Sequence, residues 1–435
     1  MKLFFIILNM IGLAVILNIY NYDLFLNLLS ITWYIASILI LYSSIKYIFK
    51  YKFIQLKIRK FIKAIKSKSN NNISPLSSLC VSLAAKIGVG SLSGVALALY
   101  FGGIGSMFWL CIISLIVSVN TYVECIIGIK YREKIDGDYV GGPSYYIAKC
   151  LGNKKLGILY SILIIITYSG LFLSVQSNTI VSAIGYFNIN SIYVVVILSI
   201  SIFVVIIMGI KSISRVNSIL VPGMIIFYLL IGIYVFISNS NNILEIFLNV
   251  VREAFNIKSI IPVFLIGMQR SIFITESSIG TSAISASACD NDAHNQGMLE
   301  VMGIHITTFI VCFITFLIIV TSNYNLIEFK NINGIEIVMN AFNYHFGNYG
   351  GLILTIVTVL FAFSTIISSY YFGESNLKII TKNKKIQVIF KIIFMVIIVF
   401  SCYIEPQFLW NLTDYFVAIL VIINVSSILK ISKKV

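Results

Sequence analysis

A cation, three glycines and two hydroxyls stand in the middle of a stretch that is otherwise apolar enough to cross a bilayer, in the run Lys86-Ile-Gly-Val-Gly-Ser-Leu-Ser-Gly94. In hydrocarbon every backbone N–H and C=O needs a partner, so a helix breaks at mid-depth only where it lines a cavity or holds something. The interruption therefore limits the chain to folds built around a broken helix. With 59% of residues hydrophobic and 11% charged over 435 residues, a soluble domain is excluded.

Apolar runs long enough to span roughly 30 Å of hydrocarbon fall near 3–20, 30–49, 78–101, 105–128, 157–183, 192–210, 218–238, 260–283, 299–322, 350–371, 386–404 and 410–430. About twelve transmembrane helices are expected. The first begins after Lys2 as a signal peptide does, but lacks a small-residue cleavage site and reads as a retained span.

The net charge of +15 raises the question of nucleic acid. The placement of the cations answers it. Threading twelve spans from a cytoplasmic N-terminus puts 26 of the 31 cations on inside loops and three, Arg252, Lys258 and Lys330, outside. That asymmetry places both termini in the cytoplasm. The nine cations between Lys46 and Lys68 show no apolar helical stripe that calls for nucleic acid, and attraction to anionic membrane lipid explains them. High Ile, Lys and Asn content points to an AT-rich bacterial genome and so to a bacterial plasma membrane.

Enzymatic chemistry finds little support. Seven cysteines show no metal-ligand spacing, and His294, His305 and His345 are scattered. No nucleophile elbow or phosphate loop is present. No organic cofactor is expected.

Ionisable groups at membrane depth mark interiors and pathways. Lys86, Glu124, Arg270, Glu276, Glu374 and Asp414 lie in or at the ends of spans. Lys86 immediately precedes the glycine break of the third span. Arg270 precedes a second polar interruption, reaching Ser282, five spans later. Two broken helices at corresponding positions of two five-span halves are the mark of an inverted-repeat transporter. The expected units are an N-terminal portion over 1–77, a first repeat over 78–238 and a second over 260–430. Arg270 and Glu276 also admit a structural reading, as an ion pair bracing the second break.

The chain resembles the alanine or glycine:cation symporters, whose fold is of the leucine-transporter type. The resemblance rests on Ala84 to Val95 for the first break, Phe101-Gly-Gly-Ile-Gly-Ser-Met-Phe-Trp109, Tyr131-Arg-Glu133 with Tyr139-Val-Gly-Gly-Pro-Ser-Tyr-Tyr-Ile147, and Gln176-Ser-Asn178. It continues through Arg270 to Glu276, Phe361-Ala-Phe-Ser-Thr365, Tyr371-Phe-Gly-Glu374 and Trp410-Asn-Leu412.

It implies an all-α membrane protein with a five-plus-five inverted-repeat core, importing a small neutral amino acid with sodium. The amino acid carboxylate is expected at the exposed N–H groups of the first break, over Gly88, Val89, Gly90 and Ser91, where a half-helix presents its positive end. Gly90 and Gly94 serve close helix packing equally well. Gln176 matches a substrate-facing position, and its amide suits either a zwitterion or a helix-to-helix bond. Phe273 and Thr275 would cap a pocket small enough to favour alanine or glycine. Ser364 and Thr365, with a carbonyl of the first break such as that of Ile87, would hold Na+, since hard cations take oxygen ligands. The alternative use of these hydroxyls is bonding back to the preceding helical turn.

Against the family pattern the chain departs at Lys86, where a small or hydroxyl residue is usual, at Val89 and Ser91, which stand for Thr and Asn, and at Thr275, which stands for Asn. Lys86 would then replace a bound cation or pair with the substrate carboxylate, in a proton-coupled or uncoupled exchanger. A transporter-like sensor that binds an amino acid without moving it is the reading of a different class.

Overall fold

In a computed structural model, residues 21–67, 73–322 and 334–432 are described. The expected span 3–20 lies outside them. The described residues are almost wholly helical, with one short hairpin among them, of β1 (Glu133–Ile135) and β2 (Asp138–Val140).

Helix α1 (Tyr22–Lys50) is opened by the Asn21 side chain, which accepts from the Leu24 N–H. A short helix, α2 (Ile58–Ile65), follows. Helix α3 (Pro75–Lys86) starts where Ser74 caps the Ser77 N–H and Pro75 fills the first turn, a position that needs no N–H. It ends at Ile87 and Gly88. After a tight turn over Val89–Ser91, α4 (Ser93–Gly102) continues in a direction bent by 57°.

Next come α5 (Gly105–Lys130), the hairpin, α6 (Pro143–Cys150), α7 (Lys154–Ile166) and α8 (Leu173–Gly185), the last two joined through a wide helical turn at Thr167–Phe172. Helices α9 (Ser191–Ile206), α10 (Ile210–Ser238) and α11 (Ile243–Ala254) complete this half.

The second half opens with α12 (Ile260–Thr275), an irregular segment over 276–280, and α13 (Thr281–Ser287). Helices α14 (Ala293–Ile306) and α15 (Phe313–Val320) flank a second wide turn at Thr307–Cys312. The chain then forms α16 (Gly334–Phe346), α17 (Gly350–Ile380), α18 (Lys384–Ser401) and α19 (Pro406–Ile431).

The expectation of twelve spans is corrected. Among the described residues, seven helical stretches are long and apolar enough to cross a membrane, or eight if the bent pair counts as one. Three expected spans fall short for identifiable reasons. Helix α9 stops after 16 residues, shortly before Gly209 at φ +68°. Helix α12 stops after 16 residues at the second break. Helix α18 carries Lys384, Lys385 and Lys391 within its 18 residues. Helix α16, read in the sequence as part of a connection, is followed by a turn at Gly347, φ +55°, and packs on α17.

Both broken helices are buried centrally. Helices α12, α13 and α14 pack on α5, α3 packs on α10 and α17, and α17 packs on α8. Helix α1 lies outside, against α19.

Candidate functional site

The first break is held by side chains from two other helices. The Val89 N–H donates to Oε1 of Gln176 on α8 at 3.0 Å. Thr365 Oγ1 on α17 donates to the carbonyls of Ala84, at 2.8 Å, and Phe361, at 2.9 Å. Gly88 lies between these two partners. A Cβ built on it would stand 2.5 Å from Thr365 Oγ1 and 3.2 Å from the Gln176 amide, so no larger residue fits.

A ring wall closes one side of the break. A Cβ on Gly90 would lie 3.3 Å from Phe273 Cε1. Phe273 stacks on Phe172 at 5.0 Å and lies 5.1 Å from the ring of Trp410. The structure thus brings Gly88, Val89, Gly90, Gln176, Phe273 and Thr365 to one place. Ile87 ends the first half-helix beside them, its N–H bonded to the Leu83 carbonyl.

Other expected site residues turn to local partners. Ser91 Oγ donates to the Gly88 carbonyl at 2.8 Å, and Thr275 Oγ1 to the Ser271 carbonyl at 2.7 Å. Ser364 Oγ bonds back to the Phe361 carbonyl at 2.9 Å and points its hydroxyl also at Met224 Sδ, at 3.8 Å.

Lys86 is fully buried and turned toward α14. Its ammonium donates to Ser82 Oγ, to Ser282 Oγ at 2.9 Å and to Glu300 Oε2 at 3.2 Å, while Ser82 Oγ donates to the same carboxylate oxygen at 2.5 Å. Isolated charges do not persist in such a place, and each of these two groups finds its counterpart in the other. Sequence reading missed Glu300 because it stands at the start of an expected span, where a charge draws no notice.

The second break has its own scaffold. Glu276, at φ +52°, ends α12, and Ser278 and Gly280 also take positive φ. The freed carbonyls have partners: Asn424 Nδ2 donates to Ser278 O at 2.8 Å, and Tyr160 OH donates to Ile279 O. Asn424 also donates to Glu124 at 2.9 Å and accepts from Tyr146 OH. Gly280 abuts Pro143 and Gly142 abuts Ile284, which seats the loop Tyr139–Ile147 on the second broken helix. Beside it the Tyr145 phenol, bonded to Ser375 O at 3.0 Å, is pushed above its ordinary pKa by burial.

The ion pair expected between Arg270 and Glu276 does not form. Arg270 donates to Asp414 Oδ2 at 2.6 Å, tying α12 to α19, and Glu276 accepts from Thr281 Oγ1 at 2.8 Å. A separation of six residues turns two helical side chains to different faces, whereas pairing needs three or four.

Two discontinuous helices meeting at a buried, glycine-lined break, inside a bundle with this much buried polar chemistry, define a secondary transporter of the inverted-repeat class. The crystal structure of MhsT in complex with L-phenylalanine shares the fold, with a TM-score of 0.59 at 13% identity over 85% of this chain and 93% of that one. The sodium:alanine symporter family model matches residues 20–435, and the chain belongs to that family. It is a transporter and not an enzyme. Among its relatives, the probable sodium/glutamine symporter GlnT of Bacillus subtilis is 30% identical over 92% of this chain and 85% of its own length. The amino-acid carrier protein AlsT of the same organism is 31% identical over 82% and 78%. The sodium/alanine symporter AgcS of Methanococcus maripaludis is 29% identical over 84% and 83%.

Proposed function

We propose that this chain imports a small neutral amino acid, alanine or glycine, by sodium symport across a bacterial plasma membrane, with both termini cytoplasmic and the two repeats 78–238 and 260–430 working against each other. The observation that carries the reading is the first break itself, a bend whose backbone is gripped by Gln176 and Thr365 and walled by Phe273. The substrate carboxylate binds to backbone N–H groups in the Gly88–Ser91 segment, where the half-helix α4 begins and its dipole favours an anion. Gln176 holds that segment open in the required shape. The 3.3 Å approach of Phe273 to a Cβ on Gly90 leaves little room for a long side chain, which favours alanine or glycine over glutamine.

Sodium binds beside it. The hydroxyls of Ser364 and Thr365 and the carbonyls of Ala84, Ile87 and Phe361 form an all-oxygen set of the kind a hard cation takes. Thr365 Oγ1 already lies within 3 Å of two of those carbonyls. The hydroxyls keep lone pairs free for the ion. A cation there neutralises the exposed C-terminal end of α3 and fixes its angle to α17, so that loading the ion prepares the amino acid site.

In the second reading Lys86 supplies the positive charge and transport is proton-coupled or uncoupled. The bonds from Lys86 to Glu300 and Ser282 favour the first reading, because they commit the ammonium to a carboxylate of the protein itself. Uptake of labelled alanine, glycine and glutamine into proteoliposomes with and without a sodium gradient decides the matter. Gradient-driven accumulation of alanine or glycine is expected, and accumulation that ignores sodium would sink the symport reading.

A further inference from the structure

Helix α2 divides into three faces. Phe61 and Ala64 turn inward to α14, with the Phe61 ring 5.6 Å from that of His305. Arg59, Lys60, Lys63 and Lys66 are exposed, and no acidic residue occurs between Lys46 and Lys68. The third face is Ile58, Ile62 and Ile65, spaced by four and three residues so that they share one stripe, and all exposed, Ile58 by 70%. The spacing of these three residues is present in the sequence, so the expectation that the basic run carries no apolar helical stripe is corrected here, although the stripe faces outward beside cations and does not call for nucleic acid.

The stripe is not isolated. Helix α1 presents Ile38, Tyr42, Ile45 and Phe49, also spaced by four, three and four, as an exposed apolar ridge on a span that packs against the bundle only through its other side. Such a ridge faces lipid. It continues past the end of α1 through Phe53, which meets Phe49 edge-on at 6.1 Å, and exposed Leu56, and runs into Ile58.

We propose that α2 is an interfacial anchor that beds Ile58, Ile62 and Ile65 in the acyl-chain boundary of an anionic lipid leaflet, with its cations among the phosphate headgroups. A short helix with one apolar stripe and a cationic face lies in the plane of a membrane surface. Each cation near an anionic surface strengthens association roughly fivefold. The inward face rests on α14, the helix that carries Glu300, so the anchor fixes the cytoplasmic end of the element paired with Lys86. None of this depends on which amino acid is carried.

The test places a reporter in the full-length protein as Ile62→Trp, reconstituted in vesicles of phosphatidylglycerol mixed with phosphatidylcholine brominated on its acyl chains. Fluorescence is read as the difference from the wild-type chain. Quenching comparable to that of an Ile38→Trp control on α1 is expected. Replacing Arg59, Lys60, Lys63 and Lys66 by Gln in the reporter chain should lower the ratio of docked to undocked helix at least about fivefold, the worth of even one cation, and this is read as a loss of that quenching. An unquenched Ile62→Trp reporter beside a quenched Ile38→Trp control overturns the docking. Quenching that is the same in purely zwitterionic vesicles, or is untouched by the four Gln substitutions, overturns the anionic selectivity.

Discussion

The ammonium of Lys86 stands 3.2 Å from Oε2 of Glu300, a residue 214 positions away, and neither side chain reaches the surface. The pair joins the first half of one broken helix to α14, and Ser282 on α13 joins the same network at 2.9 Å. Both breaks are thereby linked through one cation.

Removing one member of this pair leaves the other charged, buried and alone. Lys86→Met or Glu300→Leu should each lower stability by about 3–5 kcal/mol, read as a fall in the thermal unfolding midpoint of the detergent-solubilised protein. The double variant should recover most of that loss. A Lys86→Met protein as stable as wild type, yet weaker in amino acid binding, would instead put Lys86 on the substrate.

Substituting Ser364→Ala and Thr365→Ala together should weaken the sodium dependence of uptake far more than the amino acid affinity at saturating sodium. The cation loses two oxygens while the amino acid keeps its backbone contacts. Unchanged sodium activation in the double variant rules out this ion site.

Gln176→Ala strips the acceptor from the buried Val89 N–H. An orphaned buried donor costs about 1–3 kcal/mol, so amino acid affinity by calorimetry should fall roughly fivefold to 150-fold if the break must hold its shape to bind. An unaltered Kd would make Gln176 a packing residue.

The two glycines of the break should separate cleanly. Gly88→Ala drives a methyl to 2.5 Å from Thr365 Oγ1 and should abolish uptake. Gly90→Ala meets the edge of Phe273 at 3.3 Å and touches Ile274 at an ordinary 3.8 Å, and a small ring shift relieves the closer contact, so uptake should persist at a reduced rate. Equal activity in both variants would show that the break tolerates side chains and does not approach a ligand closely.

The positions of the two breaks, the family and the transport class were all legible in the sequence. Glycines and polar residues inside an apolar span act on the backbone within a few residues, and that local rule survives folding, as Gly88 and the 276–280 segment show. Span count was less legible, because α9 stops shortly before Gly209, α12 stops at the second break and α18 carries three lysines. Which carboxylate answers which cation was decided only by the tertiary structure. For Lys86 the sequence suggested the substrate carboxylate and drew no notice to Glu300, and for Arg270 it suggested Glu276, six residues away, in place of Asp414 far along the chain. Helix packing brought Glu300 and Asp414 within reach and turned Glu276 to Thr281. Charge pairing in a buried bundle depends on distances across helices, and spacing along the chain does not encode those distances.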